Sequence, residues 1–278
     1  MSADSELIAK LIAIARRAAV PILDHYRNGY EIAYKGPDDP VTNADSAANE
    51  LICEELRNAY PGVPIVAEES AEDTFAGYRS SDRIFFVDPI DGTKEFILGN
   101  GEFVVMLGLV VEDRARVGVV HQPTTGITWY GDIEGGAFAQ DAGGAVSKLM
   151  PTRCSTLDKA CLVVSRSHLT RTAKRAKELL GFCRVQTRGS AGLKGADVAA
   201  GNADVYFSPG VAGKRWDACA IDAIVSAAGG RFSDSFGKPI DYRTRSLANE
   251  RGLLATAPAL HAPTVEGLAR LRAAKRTE

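Results

Sequence analysis

The sequence has few of the features that mark membrane, secreted-scaffold or nucleic-acid-binding proteins. Its 278 residues hold no run near 18 uninterrupted apolar residues, so nothing reads as a bilayer span. Cysteine is scarce: Cys53, Cys154, Cys161, Cys183 and Cys219 form an odd, scattered set with no Cys-x-x-Cys pair. That argues against a disulfide framework or zinc knuckle and for a reducing compartment, with all five expected as small buried residues. Neither charge dominates, since 33 Lys and Arg against 35 Asp and Glu leave a formal net charge of −2. A strongly basic nucleic-acid binder would differ. No Gly-rich P-loop, G-x-G-x-x-G or nucleophile elbow occurs, and there are no repeats or low-complexity segments. The histidines, His25, His121, His168 and His261, show no ligand spacing.

What is present is ordinary for a soluble globular chain: 45% apolar and 24% charged residues, enough for a full core. At roughly 150 residues per domain, the length suggests one large domain or two moderate ones. Leu7, Ile8, Leu11, Ile12, Ile14 and Ala15 could pass for a signal-peptide core, but Lys10, Arg16 and Arg17 interrupt them. Their spacing is helical, and a cytoplasmic location is expected. Residues 34–41 read as turn-rich, and a second helix runs over 45–59 before Pro61-Gly62. Short strands are expected at 63–67 and 84–87, then a meander at 103–111, 117–121, 127–130 and 137–138. The stretch 140–152 is the expected boundary. Beyond it, strands at 161–165, 183–187, 205–207 and 253–255 alternate with helices at 171–180, 191–200, 218–228 and 264–275. That alternation reads as a layered α/β half.

The chemistry concentrates where short apolar runs end in acids. Ile84-Phe-Phe-Val delivers Asp88 and Asp91 into a segment bent by Pro89 and Gly92. Two carboxylates at a strand end can converge on one hard cation of the Mg²⁺ type. Gly92 lets backbone approach a ligand, and the N–H groups after it can face a phosphate. The plainer reading is an Asp-Pro, Asp-Gly turn whose acids cap their own backbone. Ile65-Val-Ala repeats the device with Glu68 and Glu69, which could equally solvate a loop. Asp45 could be a helix-cap residue alone, and Asp217 is favoured in the first turn of its helix by the macrodipole.

Together these residues carry a resemblance. Glu68-Glu69-Ser70, Asp88-Pro-Ile-Asp91-Gly-Thr93, Trp216-Asp217-x-x-Ala220 and Ala228-Gly229-Gly230 resemble the signature of the inositol monophosphatase superfamily, over nearly the whole chain. The superfamily comprises Mg²⁺-dependent, lithium-sensitive phosphomonoesterases. Thr93-Lys94-Glu95-Phe96-Ile97 and Asn100-Gly101-Glu102-Phe103 resemble its 3'(2'),5'-bisphosphate nucleotidase branch, where inositol monophosphatases usually have Thr-Asn-Phe after the Gly. Ser165-Arg166-Ser167-His168 and Gly189-Ser190 with Lys194 agree. Gly210 stands where inositol monophosphatases carry an acid, seven positions before the helix Asp, that holds inositol hydroxyls.

The resemblance implies an α+β / α/β fold, a layered α-β-α-β-α sandwich of two packed sheet-containing halves. Residues 1–145 would form an α+β half with an antiparallel sheet and most metal ligands. Residues 146–278 would form an α/β half contributing Asp217 and substrate contacts. Glu68, Asp88, Asp91, the Ile90 carbonyl and Asp217 would hold two or three Mg²⁺ ions. Glu68 and Thr93 would orient the attacking water, with Asp45 near the loosest metal. Asp91, Gly92, Thr93, Gly189, Ser190, Lys194, Arg166 and His168 would contact phosphate or substrate, with Arg188, Lys214 and Arg215 as further candidate cations. The expected reaction is hydrolysis of 3'-phosphoadenosine 5'-phosphate to AMP and phosphate. The alternatives are an inositol- or sugar-phosphate phosphatase and, in another class, a regulatory protein acting through a partner. The implied partner is a small phosphorylated metabolite, neither nucleic acid nor membrane, bound to what in many family members is a homodimer.

Overall fold

The computed structural model describes residues 3–75, 77–167 and 178–274. His168 and most of the expected helix at 171–180 lie outside these residues, although 178–180 are helical. The first helix, α1 (Ala3–Asn28), buries Leu7, Leu11, Ile14, Ala15, Ala18 and Ile22, one stripe at helical spacing. Residues expected to be only a turn instead pair as an antiparallel hairpin, β1 (Ile32–Gly36) and β2 (Asp39–Thr42). Because β1 is almost wholly exposed, it has no apolar alternation to announce it. Next comes α2 (Asn43–Ala59).

A seven-stranded sheet follows in chain order: β3 (Ile65–Ala67), β4 (Arg83–Asp91), β5 (Val104–Val111), β6 (Arg114–His121), β7 (Thr128–Asp132), β8 (Gly136–Gln140) and β9 (Val146–Lys148). β3 runs parallel to β4, and every later neighbour is antiparallel, the expected meander. The residue alternation divides its two faces. Phe85, Val87, Val105, Leu107, Leu109, Val117 and Val119 pack under α1 and α2. Ile84, Phe86, Val104, Met106, Val110 and Val120 face the other way.

The second sheet has the order β11 (Arg184–Arg188), β10 (Cys161–Ser165), β12 (Val205–Ser208), β14 (Leu253–Thr256), β13 (Arg231–Ser233). Two helices lie between the sheets, α4 (Ala191–Ala199) and α5 (Arg215–Ala227), after the short α3 (Thr93–Ile97). Val163, Tyr206 and Ala255 turn inward to them, whereas Leu162, Val164, Phe207 and Leu254 meet the closing helix α6 (His261–Ala274). The layers therefore run helix, sheet, helix, sheet, helix. Glycines bring α5 close to the first sheet: a Cβ on Gly108 would lie 2.5 Å from Cys219 Sγ, and one on Gly118 2.1 Å from the Ala220 carbonyl. Cys53, Cys161 and Cys219 are buried as expected, but Cys154 is half-buried and Cys183 exposed. The expectation fails there because Cys183 precedes β11, an edge strand with an open side.

Candidate active site

β4 carries the two central acids, and it is a bulged strand rather than a simple turn. Asp88 pairs with Met106, but Asp91 pairs with Val104, three steps on one strand against two on the other. Residues three apart on a regular strand point to opposite faces; the extra residue at Pro89-Ile90 returns both side chains to one side. Proline tolerates this position because it has no N–H to offer the ladder. Asp88 Oδ1 accepts the Ile90 N–H at 3.0 Å. Asp88 and Asp91 are buried.

The remaining acids come from other elements. Glu68 and Glu69 leave β3 and share Lys35 of the hairpin, whose Nζ lies 2.8 Å from Glu68 Oε1 and 2.9 Å from Glu69 Oε1. Asp217 and Asp45 occupy the same place at two helix starts, reaching back to the capping residue's N–H. Asp217 Oδ2 accepts from Lys214 N at 2.6 Å, and Asp45 Oδ2 from Thr42 N at 2.8 Å. The cap explanation is therefore true of both, and each keeps a second oxygen. Asp45 Oδ1 accepts from the Thr93 hydroxyl at 3.1 Å, which also lies 3.2 Å from the Ile90 carbonyl. A Cβ at position 213 would lie 2.5 Å from Asp217 Oδ2, so Gly213 leaves room for that carboxylate.

Ligand-capable oxygens of Asp88, Asp91 and Asp217 all lie within 4.8 Å of one another. Burial first, then the charges of Glu68, Asp91 and Asp217, pushes Asp88 well above the ordinary carboxylate range. Asp217 is raised likewise by burial, Asp91 and Glu68. Burial also raises Asp91, against the opposing pull of Lys194, the Gly192 N–H and the Ser190 hydroxyl. An all-oxygen, negatively charged donor set that repels itself fits a hard divalent cation such as Mg²⁺.

Glu68, Asp88 and Asp91 line one side of a cavity of about 510 Å³, and Asp217 belongs to its other wall with Ser190, Lys194 and Tyr206. Gly92 starts α3 with φ of 100°, and a Cβ there would meet the Glu102 carbonyl at 3.1 Å. Across the cavity Ser190 Oγ donates to Asp91 Oδ2, which also accepts from Gly192 N at 2.7 Å. Lys194 is buried and donates to the Ser190 carbonyl, with its Nζ 5.3 Å from the Tyr206 ring centre. Burial lowers its pKa to about 8 despite the nearby acids Asp91, Glu95, Asp217 and Glu102. Arg166 turns to Glu102, with bonds of 2.9 and 3.0 Å, and Arg188 lies 3.3 Å from the same carboxylate. Arg215 donates to the Asp241 and Ala248 carbonyls, and Lys214 sits over the Trp216 ring.

The model of the inositol monophosphatase family matches residues 3–270. The chain belongs to the inositol monophosphatase family. Among its relatives, the 3'(2'),5'-bisphosphate nucleotidase CysQ of Escherichia coli (strain K12) is 34% identical over 243 residues, covering 86% of this chain and 95% of that protein. The 3'(2'),5'-bisphosphate nucleotidase 1 of Dictyostelium discoideum is 28% identical, covering 90% and 92%. The solved IMPase of Thermotoga maritima is 25% identical with a TM-score of 0.82, covering 96% of this chain and 98% of that one.

On this inositol monophosphatase fold the structure brings together Asp45, Glu68, Asp88, Ile90, Asp91, Gly92, Thr93, Ser190, Lys194 and Asp217. Gly189 lies beside them, and Arg166 is tied to Glu102. Sequence reasoning missed Lys35, a single cation in a Gly- and Pro-rich stretch, where no motif signals its reach to Glu68 33 residues away. It singled out Glu95 and Glu102 as branch markers without a role for either.

Proposed function

We propose that this protein is a Mg²⁺-dependent phosphomonoesterase that hydrolyses 3'-phosphoadenosine 5'-phosphate, or a closely related 3'(2'),5'-bisphosphate nucleotide, to AMP and phosphate. One observation carries the reading: the carboxylates of Asp88, Asp91 and Asp217, the first two buried and the third half-buried, converge within 4.8 Å at the foot of a cavity, with Glu68 close enough to raise all three. Relatives named as 3'(2'),5'-bisphosphate nucleotidases favour the nucleotide as substrate. The open backbone at Gly210, with nothing within 4 Å of a Cβ built there, offers inositol hydroxyls no acid to hold them.

In this reading Glu68, Asp88, Asp91, the Ile90 carbonyl and Asp217 hold two or three Mg²⁺ ions, which when bound supply Lewis-acid charge to the phosphoryl group and its nucleophile. The protein's own groups do the positioning. Thr93 donates its proton to Asp45, which leaves its lone pairs to accept a hydrogen bond from water, and Glu68 faces the same space. Backbone N–H groups of Gly92 and Thr93 cradle the scissile phosphate. Water adds to phosphorus, the ester P–O bond breaks, and the ribose oxygen leaves with a proton. Lys194 is the cation we assign to the retained phosphate, since Arg166 is largely neutralised by Glu102. The halves 1–145 and 146–278 contribute opposite walls, the first most of the acids and the second Asp217 and Lys194. The reading is tested by phosphate release from the bisphosphate with Mg²⁺ and with excess EDTA. Release that is indifferent to chelation would refute the metal assignment.

A further inference from the structure

Glu95 and Glu102 do not join the acids around Asp88. They lie instead against Gly189: a Cβ there would stand 2.6 Å from Glu95 Cγ and 2.8 Å from both Glu102 Cβ and the Glu102 carbonyl. Only glycine fits. Glu102 Oε2 accepts the Gly189 N–H at 2.7 Å while Arg166 and Arg188 grip the same carboxylate. Glu95, buried, accepts from Ser167 and from Asn100, tying the loop after α3 to the strand end at 165–167.

The next residue, Ser190, has φ 57° and ψ 138°, a backbone conformation that is costly for any residue but glycine. Strain of about 1–3 kcal/mol persists only where neighbours over-determine it. Here the neighbours are visible. Glu102 fixes the segment from one side, and on the other the Ser190 hydroxyl accepts the Leu193 N–H at 3.1 Å and donates to Asp91 Oδ2. With the Gly192 N–H at 2.7 Å, that oxygen has two protein donors, whereas Asp91 Oδ1 has none among the described residues.

We infer that Glu102 and Ser190 are positioning residues acting in series: Glu102 anchors Gly189, the anchored backbone holds Ser190, and Ser190 fixes the Asp91 carboxylate with one oxygen left for a cation. This gives the Asn100-Gly101-Glu102 segment a task at the metal site without touching it, and it deepens, and rests on, the function proposed above. Hydrogen-bond partners that orient metal ligands typically change metal affinity by about 10–100-fold when removed.

The test is Mg²⁺ binding by titration calorimetry, with no substrate present, on wild type, Ser190→Ala, Glu102→Ala, the double variant and Glu102→Gln. Melting temperatures of the metal-free proteins identify any variant that has not folded. Each alanine variant is expected to bind Mg²⁺ about tenfold more weakly, and kcat at saturating Mg²⁺ should fall less than this affinity. The double variant should be no worse than the worse single one, because two links of one chain are not additive. Glu102→Gln, which keeps an acceptor for the Gly189 N–H, should recover most of the affinity. Multiplying effects in the double variant would overturn the inference alone. So would unchanged Mg²⁺ affinity in folded Ser190→Ala, including the case where only the substrate KM rises, as for direct substrate contact. A wild type that binds no Mg²⁺ overturns the proposed function, and this inference with it.

Discussion

Asp88 is a carboxylate with almost no solvent, facing Glu68, Asp91 and Asp217. Its folded pKa stands above the unfolded value of about 3.9, so between those two pH values the folded state binds more protons. Stability of the metal-free protein through this group therefore falls as pH rises across that window. Asp88→Asn should accordingly raise the melting temperature of the metal-free protein at pH 7 and flatten its dependence on pH. The same variant should lose at least about a hundredfold in activity, no less than loss of an outer-shell partner costs. A variant that melts lower and remains active would reverse both halves of the argument. Lys194 supplies a second residue-scale prediction. With a pKa near 8, its ammonium is charged at neutral pH and lost above it. KM for a bisphosphate substrate should rise above that pH, and Lys194→Met should be uniformly weak across the range. The acids were legible in the sequence because each ends a short apolar run or starts a helix. Their partners were not: Lys35 meets Glu68 and Ser190 meets Asp91 across 33 and 99 residues, and nothing local encodes such pairings.

Among the elements, α5 matters most to the site, because it carries Asp217 in its first turn and lies flush on the first sheet through Gly108 and Gly118. Gly118→Ala would place a methyl 2.1 Å from the Ala220 carbonyl oxygen, an atom of helix backbone that cannot rotate away. Overpacking of this kind costs about 1–3 kcal/mol, and the helix should shift with its acid. Denaturant unfolding should show that loss, and the Mg²⁺ concentration for half-maximal activity should rise. An unchanged midpoint and unchanged Mg²⁺ dependence would mean that α5 does not set the position of Asp217. Long elements with clear periodicity, such as α1, α5 and the meander β5–β8, were readable from pattern alone. The hairpin β1–β2 was not, since exposed strands around Gly36-Pro37 and Pro40 look like turn. β9 and β13, three residues each, are too short to carry a period. The bulge in β4 left only Pro89 as its trace.

At the scale of the whole molecule, the two sheets with their helices meet at one cavity, and neither half holds a complete set of acids. A cation that binds all of them should stabilise the folded state by mass action, so the melting temperature should climb with Mg²⁺ concentration. Li⁺, near Mg²⁺ in size but with half its charge, should fill the weakest oxygen site without its Lewis acidity and inhibit, with Na⁺ weaker at equal ionic strength. The deciding measurement is kcat/KM for phosphate release from 3'-phosphoadenosine 5'-phosphate and from inositol 1-phosphate, each with Mg²⁺ and with EDTA. A preference of at least about tenfold for the bisphosphate is expected, abolished by EDTA and restored by Mg²⁺. Equal or better turnover of inositol 1-phosphate, or no Mg²⁺-dependent release from the bisphosphate, would contradict it.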